Sequence, residues 1–140
     1  MLLLFKEKPF MTSPEKTVLI VEDEPDAAEL FAEMMRVSGF RVLKTSSSTP
    51  ALNLIAAEKP DLVILDIMMP EISGLDILRQ MRQDPALASI PVVVVSAKSM
   101  PADIKIGMEA GASMYLTKPV GFLELKEAVE RALGNQSTSA

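Results

Sequence analysis

At 140 residues and 49% hydrophobic, the chain has room for one compact domain with a substantial core and none for a second. Its 14 basic and 19 acidic residues leave a net charge of −5, which suits a soluble cytoplasmic protein and disfavours direct binding to nucleic acid or an anionic membrane. Cysteine and histidine are both absent, which excludes disulfides, thiolate chemistry and the commonest general base, and leaves carboxylates, hydroxyls, lysines and the backbone to carry any chemistry.

Residues 1–16 read as a flexible leader. The apolar run Met1–Phe5 is cut off by Lys6, Glu7, Lys8 and Pro9, short of the roughly 20 apolar residues of a membrane span and the roughly 7 of a signal-peptide core. A first strand is predicted over Val18–Val21, running directly into Glu22 and Asp23. The next helix, Pro25–Ser38, has an apolar face of Ala27, Leu30, Phe31, Met34 and Val37, with Glu24 and Asp26 placed where the helix dipole favours acids. A strand over Arg41–Thr45 and a helix over Pro50–Glu58 follow. The apolar run Leu62–Leu65 predicts the third strand and ends on Asp66. Then come a helix over Leu75–Gln83, a strand over Val92–Val95, a helix over Ala102–Ala110 and a strand over Met114–Thr117. The last helix spans Phe122–Leu133, with Phe122, Leu125, Val129 and Ala132 on one face. Residues 134–140, small and polar, read as a flexible tail. Gly39 and Gly111 fall just past helix ends, where positive φ is favoured.

Strand and helix alternate five times. Short βα units of this kind predict an α/β fold: a doubly wound, five-stranded parallel sheet with helices on both faces. The first, third and fourth strands are continuously apolar and belong at its centre. In such a sheet the carboxyl ends of the strands line the ligand crevice, so Glu22, Asp23 and Asp66 converge there. Clustered carboxylates repel one another, and a hard divalent cation such as Mg²⁺ is the usual remedy.

Four segments, each at the end of a predicted strand, carry a family resemblance. They are Val18-Leu19-Ile20-Val21-Glu22-Asp23-Glu24-Pro25; Leu65-Asp66-Ile67-Met68-Met69-Pro70 with Gly74; Val95-Ser96-Ala97; and Ala110-Gly111-Ala112-Ser113-Met114-Tyr115-Leu116-Thr117-Lys118-Pro119. Over residues 17–133 the chain resembles a response-regulator receiver domain of two-component signalling, flavodoxin-like in fold and similar to the bacterial chemotaxis regulator.

That resemblance implies a set of roles. Asp66 is the phosphoacceptor, taking a phosphoryl group from a phosphohistidine on a sensor histidine kinase or phosphotransfer protein. Asp23 ligates Mg²⁺ directly, Glu22 partly through water, and Asp66 and the Met68 backbone carbonyl complete the protein's share. Lys118, after which a cis bond to Pro119 is typical of the family, reaches a phosphoryl oxygen. Ser96 and Tyr115 form a switch pair in which the hydroxyl turns to the phosphoryl group and the ring rotates inward. Met68 and Lys98 stand where the family tunes acyl-phosphate hydrolysis, and neither side chain is an easy base for water. The module catalyses only its own phosphorylation and dephosphorylation, and a homodimer formed on phosphorylation is a further partner arrangement the family allows. Taken singly, Asp66 could cap a turn before Pro70, Ser96 could end a strand, and Tyr115 could be ordinary packing.

Two other classes share parts of this pattern. A flavodoxin-like electron carrier needs a glycine- and hydroxyl-rich phosphate loop after the first strand, where this chain has Glu22-Asp23-Glu24. An aspartyl-nucleophile phosphatase of the haloacid-dehalogenase type needs a second acid two residues beyond its nucleophile, and Met68 stands there.

Overall fold

A computed structural model describes residues 15–138, with side chains through residue 134; most of the expected leader and the end of the expected tail lie outside the described residues. The elements are β1 (Thr17–Val21), α1 (Pro25–Val37), β2 (Arg41–Thr45), α2 (Ala51–Glu58), β3 (Leu62–Leu65), α3 (Gly74–Gln83), β4 (Val92–Ser96), α4 (Pro101–Ala110), β5 (Met114–Thr117) and α5 (Phe122–Thr138). Each lies at its predicted place. The last helix continues past Leu133, where the sequence pattern placed its end.

The strands form one parallel sheet in the order β2-β1-β3-β4-β5. This is the flavodoxin-like arrangement, in which the order reverses beside β1 and opens a crevice at the strand carboxyl ends. The continuously apolar strands β1, β3 and β4 occupy the centre, as their covering on both faces requires. Alternate residues feed two cores. Leu19, Val21, Val63, Leu65, Val92 and Val94 pack with Ile55 of α2, Ile77, Leu78 and Met81 of α3 and Ala110 of α4. Val18, Ile20, Leu62, Ile64, Val93 and Val95 pack with Phe31, Ala32 and Met35 of α1 and Leu125 and Val129 of α5.

The inward face of α1 differs from the sequence expectation. Ala28, Phe31, Ala32 and Met35 are buried, Ala27 and Met34 flank the core, and Leu30 and Val37 face solvent. Two apolar stripes overlap at Phe31, and periodicity alone cannot choose between them. The stripe with Ala28, Phe31, Ala32 and Met35 is the one that is buried, with Phe31, Ala32 and Met35 packed in the core with β1, β3 and β4. In α5, Leu125, Ala128, Val129 and Ala132 are buried, whereas Phe122, at the helix start, is 37% exposed.

The remaining local signals are used as read. The Glu24 carboxylate caps α1 by accepting the Ala27 N–H at 3.2 Å, and Gly39 and Gly111 have φ of 97° and 116°. Arg82 of α3 ties the sheet's periphery together: its guanidinium donates to the carbonyls of Gly111, Ala88 and Ile90 at 2.9, 3.1 and 2.7 Å.

Candidate functional site

Parallel register brings the charged residues together. Val21 pairs with Leu65 across β1 and β3, so Glu22 and Asp66, the next residue in each chain segment, emerge side by side. The Asp66 N–H continues the ladder to the Val21 carbonyl at 3.0 Å. Both acids are buried, at 1% and 5% exposure, while Asp23 is more open. Carboxylate oxygens of Glu22, Asp23 and Asp66 all lie within 4.8 Å of one another.

Lys118 enters from the end of β5. Its Nζ lies 3.0 Å from Glu22 Oε1 and 3.4 Å from Asp66 Oδ2, and the Lys118–Pro119 peptide is cis. The lysine is closer to Glu22 than to Asp66, a direct pairing that sequence reasoning did not anticipate. Burial pushes the Glu22 carboxyl above its ordinary pKa; the hydrogen bond from Lys118 pulls it down, and the neighbouring Asp66 charge pushes it further up. For Lys118, burial alone would lower the pKa. The hydrogen bond to Glu22 and the negative charges of Asp66 and Glu22 outweigh it and hold the ammonium above its usual value.

The site thus sets three carboxylates against one ammonium, with an all-oxygen donor set at a crevice. This fits a hard divalent cation such as Mg²⁺, which takes oxygen ligands and keeps several waters. Met68, 48% exposed, donates its N–H to Asp66 Oδ1 at 2.9 Å, so its peptide is already turned around the carboxylate. Gly74, at the start of α3, packs against the same loop. A Cβ there would stand 2.6 Å from the Asp66 carbonyl oxygen and 2.5 Å from Ile67 Cα.

Ser96 ends β4, fully buried, beside Thr117 of β5. Its hydroxyl accepts the Lys98 N–H at 3.1 Å, and the Lys98 carbonyl accepts the Tyr115 hydroxyl at 2.8 Å. Residue 98 is therefore held at both ends of its own backbone. The Tyr115 ring is half-buried over α4, where a Cβ on Gly107 would meet its Cδ2 and Cε2 at 2.7 and 2.8 Å. Gly107 was missed from sequence, although a glycine inside a helical pattern is itself a signal of close approach. Met68 and Lys98, with Ile67, Met69, Leu75 and Ile106, line a cavity of about 410 Å³.

Comparison with known proteins agrees with this geometry. The family model described as the response regulator receiver domain matches residues 18–130. The chain is 34% identical over 120 residues to the polar-differentiation response regulator DivK of Brucella ovis, covering 86% of this chain and 98% of that protein. Among solved structures, the signal receiver domain of a histidine kinase from Syntrophus aciditrophicus is 32% identical with a TM-score of 0.79, covering 86% of this chain and 91% of that one. The receiver domain of a sensor histidine kinase from Pseudomonas aeruginosa PAO1, 25% identical with a TM-score of 0.79 over 86% of this chain and 98% of that one, has a magnesium ion coordinated in its active-site cleft.

Two outcomes are expected from the site's electrostatics and packing. Because Glu22 titrates higher in the folded protein than in the unfolded chain, its favourable contribution is complete at low pH and is lost as pH rises through its raised pKa. Stability of the metal-free protein should therefore fall across the interval just above the ordinary carboxylate range, and urea unfolding of Glu22→Gln should lack that decline; parallel profiles would contradict it. Gly107→Ala should lose the gain of about 1 kcal/mol that alanine normally gives a helix interior, because its Cβ collides with the ring. The chain has one tyrosine and no tryptophan, so acrylamide quenching of its emission reads that ring directly, and it should increase in the variant.

Proposed function

We propose that Asp66 is the phosphoacceptor of this chain, which belongs to the response-regulator receiver family and is the receiver domain of a two-component response regulator. The observation that carries the assignment is the junction of Asp66 with Glu22, Asp23 and Lys118 at the carboxyl edge of β1, β3 and β5. In the proposed reaction an Asp66 carboxylate oxygen attacks phosphorus, the P–N bond of a partner's phosphohistidine breaks, and the imidazole leaves with the bond's electron pair and takes up a proton. The donor is a sensor histidine kinase or phosphotransfer protein, since this chain has no histidine. We assign residues 17–133 to the receiver domain and its setting to the cytoplasm; among the described residues no helix is long and apolar enough to cross a membrane.

Each neighbouring group has work that suits its chemistry. Glu22, Asp23, Asp66 and the Met68 carbonyl would hold Mg²⁺, which when bound offsets the charge between carboxylates and phosphoryl oxygens. Lys118 shifts its hydrogen bonds from the two acids to a phosphoryl oxygen, acting as a point charge. The Ser96 hydroxyl, accepting from Lys98, retains its own proton to donate to that group. Turning Ser96 toward the phosphoryl group disturbs the Lys98 peptide, and with it the anchor of the Tyr115 hydroxyl. Phosphorylation in this way biases the position of the ring and the surface of α4 and β5 around it.

Incubation with a small phosphodonor and Mg²⁺ should add one phosphoryl group by intact-mass measurement. Asp66→Asn should abolish that gain, and Asp23→Ala should sharply weaken Mg²⁺ binding; labelling of Asp66→Asn at the wild-type level would refute the acceptor assignment. A further expectation concerns lifetime. Met68, two residues beyond Asp66, and Lys98, two beyond Ser96, line one cavity, and neither side chain is an easy base to orient an attacking water, so self-dephosphorylation should be slow. The double variant Met68→Asn, Lys98→Glu should hasten decay after donor removal by at least about tenfold, below the usual range for positioned acid–base help. Equal decay rates would reject a kinetic role for the pair.

A further inference from the structure

The loop that follows Asp66 turns on an unfavourable residue. Glu71 has φ of 69°, in the left-handed region that side chains other than glycine rarely adopt and that persists only where the surroundings hold it. The holder is Ser48, in the loop between β2 and α2. Its hydroxyl donates to the Pro70 carbonyl at 3.0 Å and accepts the Ile72 N–H at 3.1 Å. One side-chain oxygen thereby ties the residues on both sides of Glu71.

Ser48 is itself buried, at 1% exposure, so water is poorly placed to replace these bonds. Its carbonyl accepts the Ala51 N–H at 3.1 Å, which fixes it to the start of α2. Next to it the Thr49 hydroxyl donates to Glu71 Oε1 at 2.8 Å. The clamped segment lies between two others already bound to the site: upstream, the Met68 N–H on Asp66, and downstream, the Gly74 N–H on the Ile67 carbonyl at 3.3 Å.

We propose that Ser48 is a positioning residue of this site: by clamping Pro70 and Ile72 it holds the Met68 main chain where its N–H serves the Asp66 carboxylate and its carbonyl serves a divalent cation. The inference rests on the phosphoacceptor reading given above. Ser48 acts through the loop: its hydrogen bonds run to Pro70, Ile72 and Ala51, not to the acids of the site. A serine needed only for the fold would move the unfolding midpoint and leave the cation affinity of the folded protein unchanged.

The test is calorimetric titration with Mg²⁺ alone, well below each unfolding midpoint, with amide exchange recorded on the same ion-free proteins. Ser48→Ala should weaken Mg²⁺ binding about tenfold, the low end for residues that orient metal ligands. Exchange should quicken at Ile72 and Met68 and not in β3 or β4. Ser48→Thr, which keeps the hydroxyl, should recover most of the affinity. Wild-type affinity in folded Ser48→Ala, or no recovery in Ser48→Thr, would overturn the proposal. Should Ser48→Ala not fold, Ser48→Cys, close in volume but a weak hydrogen-bonding group, replaces it under the same outcomes. Wild-type protein that binds no Mg²⁺ would overturn the cation site itself and this inference with it, a failure distinct from a Ser48 variant that binds normally.

Discussion

Two buried carboxylates lie against one ammonium, and the rest of the molecule is arranged around that fact. Glu22 and Asp66 are withdrawn from water at the ends of the central strands, and Lys118 reaches both from β5. Buried charges are tolerated only when they are paired and hydrogen-bonded, and removing one partner leaves the others uncompensated. The pairing requires β1 and β3 to end side by side and β5 to run two residues past them before Lys118, so the sheet register and the charge balance depend on one another. Asp23 adds a third carboxylate on the more open side, so acidic groups outnumber the one ammonium at the crevice.

The strand ends supply the charges, but loops decide where they point. The stretch between β3 and α3 is held at its start by the Met68 N–H on Asp66, at its turn by Ser48, and at its close by Gly74, where any side chain would collide with the Asp66 main chain. These constraints come from three different places in the sequence. Backbone groups around an acceptor are thus set by packing that has no chemistry of its own.

This division explains what could be read from the sequence. Every strand and helix was legible because continuous apolar runs and capping signals act locally, and parallel βα topology left few alternatives. The convergence of Glu22, Asp23 and Asp66 was legible for the same reason, since all three end apolar runs. The α1 face was not, because two stripes share Phe31 and only the fit against the sheet separates them. Nor was the pairing of Lys118 with Glu22, residues 96 positions apart, or the grip of Ser48 on a loop 22 and 24 positions away. A serine within Ser46-Ser47-Ser48 looks like any loop serine until its partners are known.

A second bonded network lies at the end of β4. Ser96, Lys98 and Tyr115 form a hydrogen-bonded series in which each member is fixed by the next, beginning at the buried end of β4 and finishing at a ring over α4. The ring fits only because residue 107 has no Cβ. A glycine inside a helix lowers its stability by about 1 kcal/mol relative to alanine, so α4 gives up intrinsic stability where the ring needs space. Small displacements at Ser96 therefore cannot be absorbed silently. The Lys98 backbone is bonded on both sides, and the ring meets helix main chain without an intervening side chain that could yield. Close packing of this kind leaves little room for the Tyr115 ring to move without moving its neighbours.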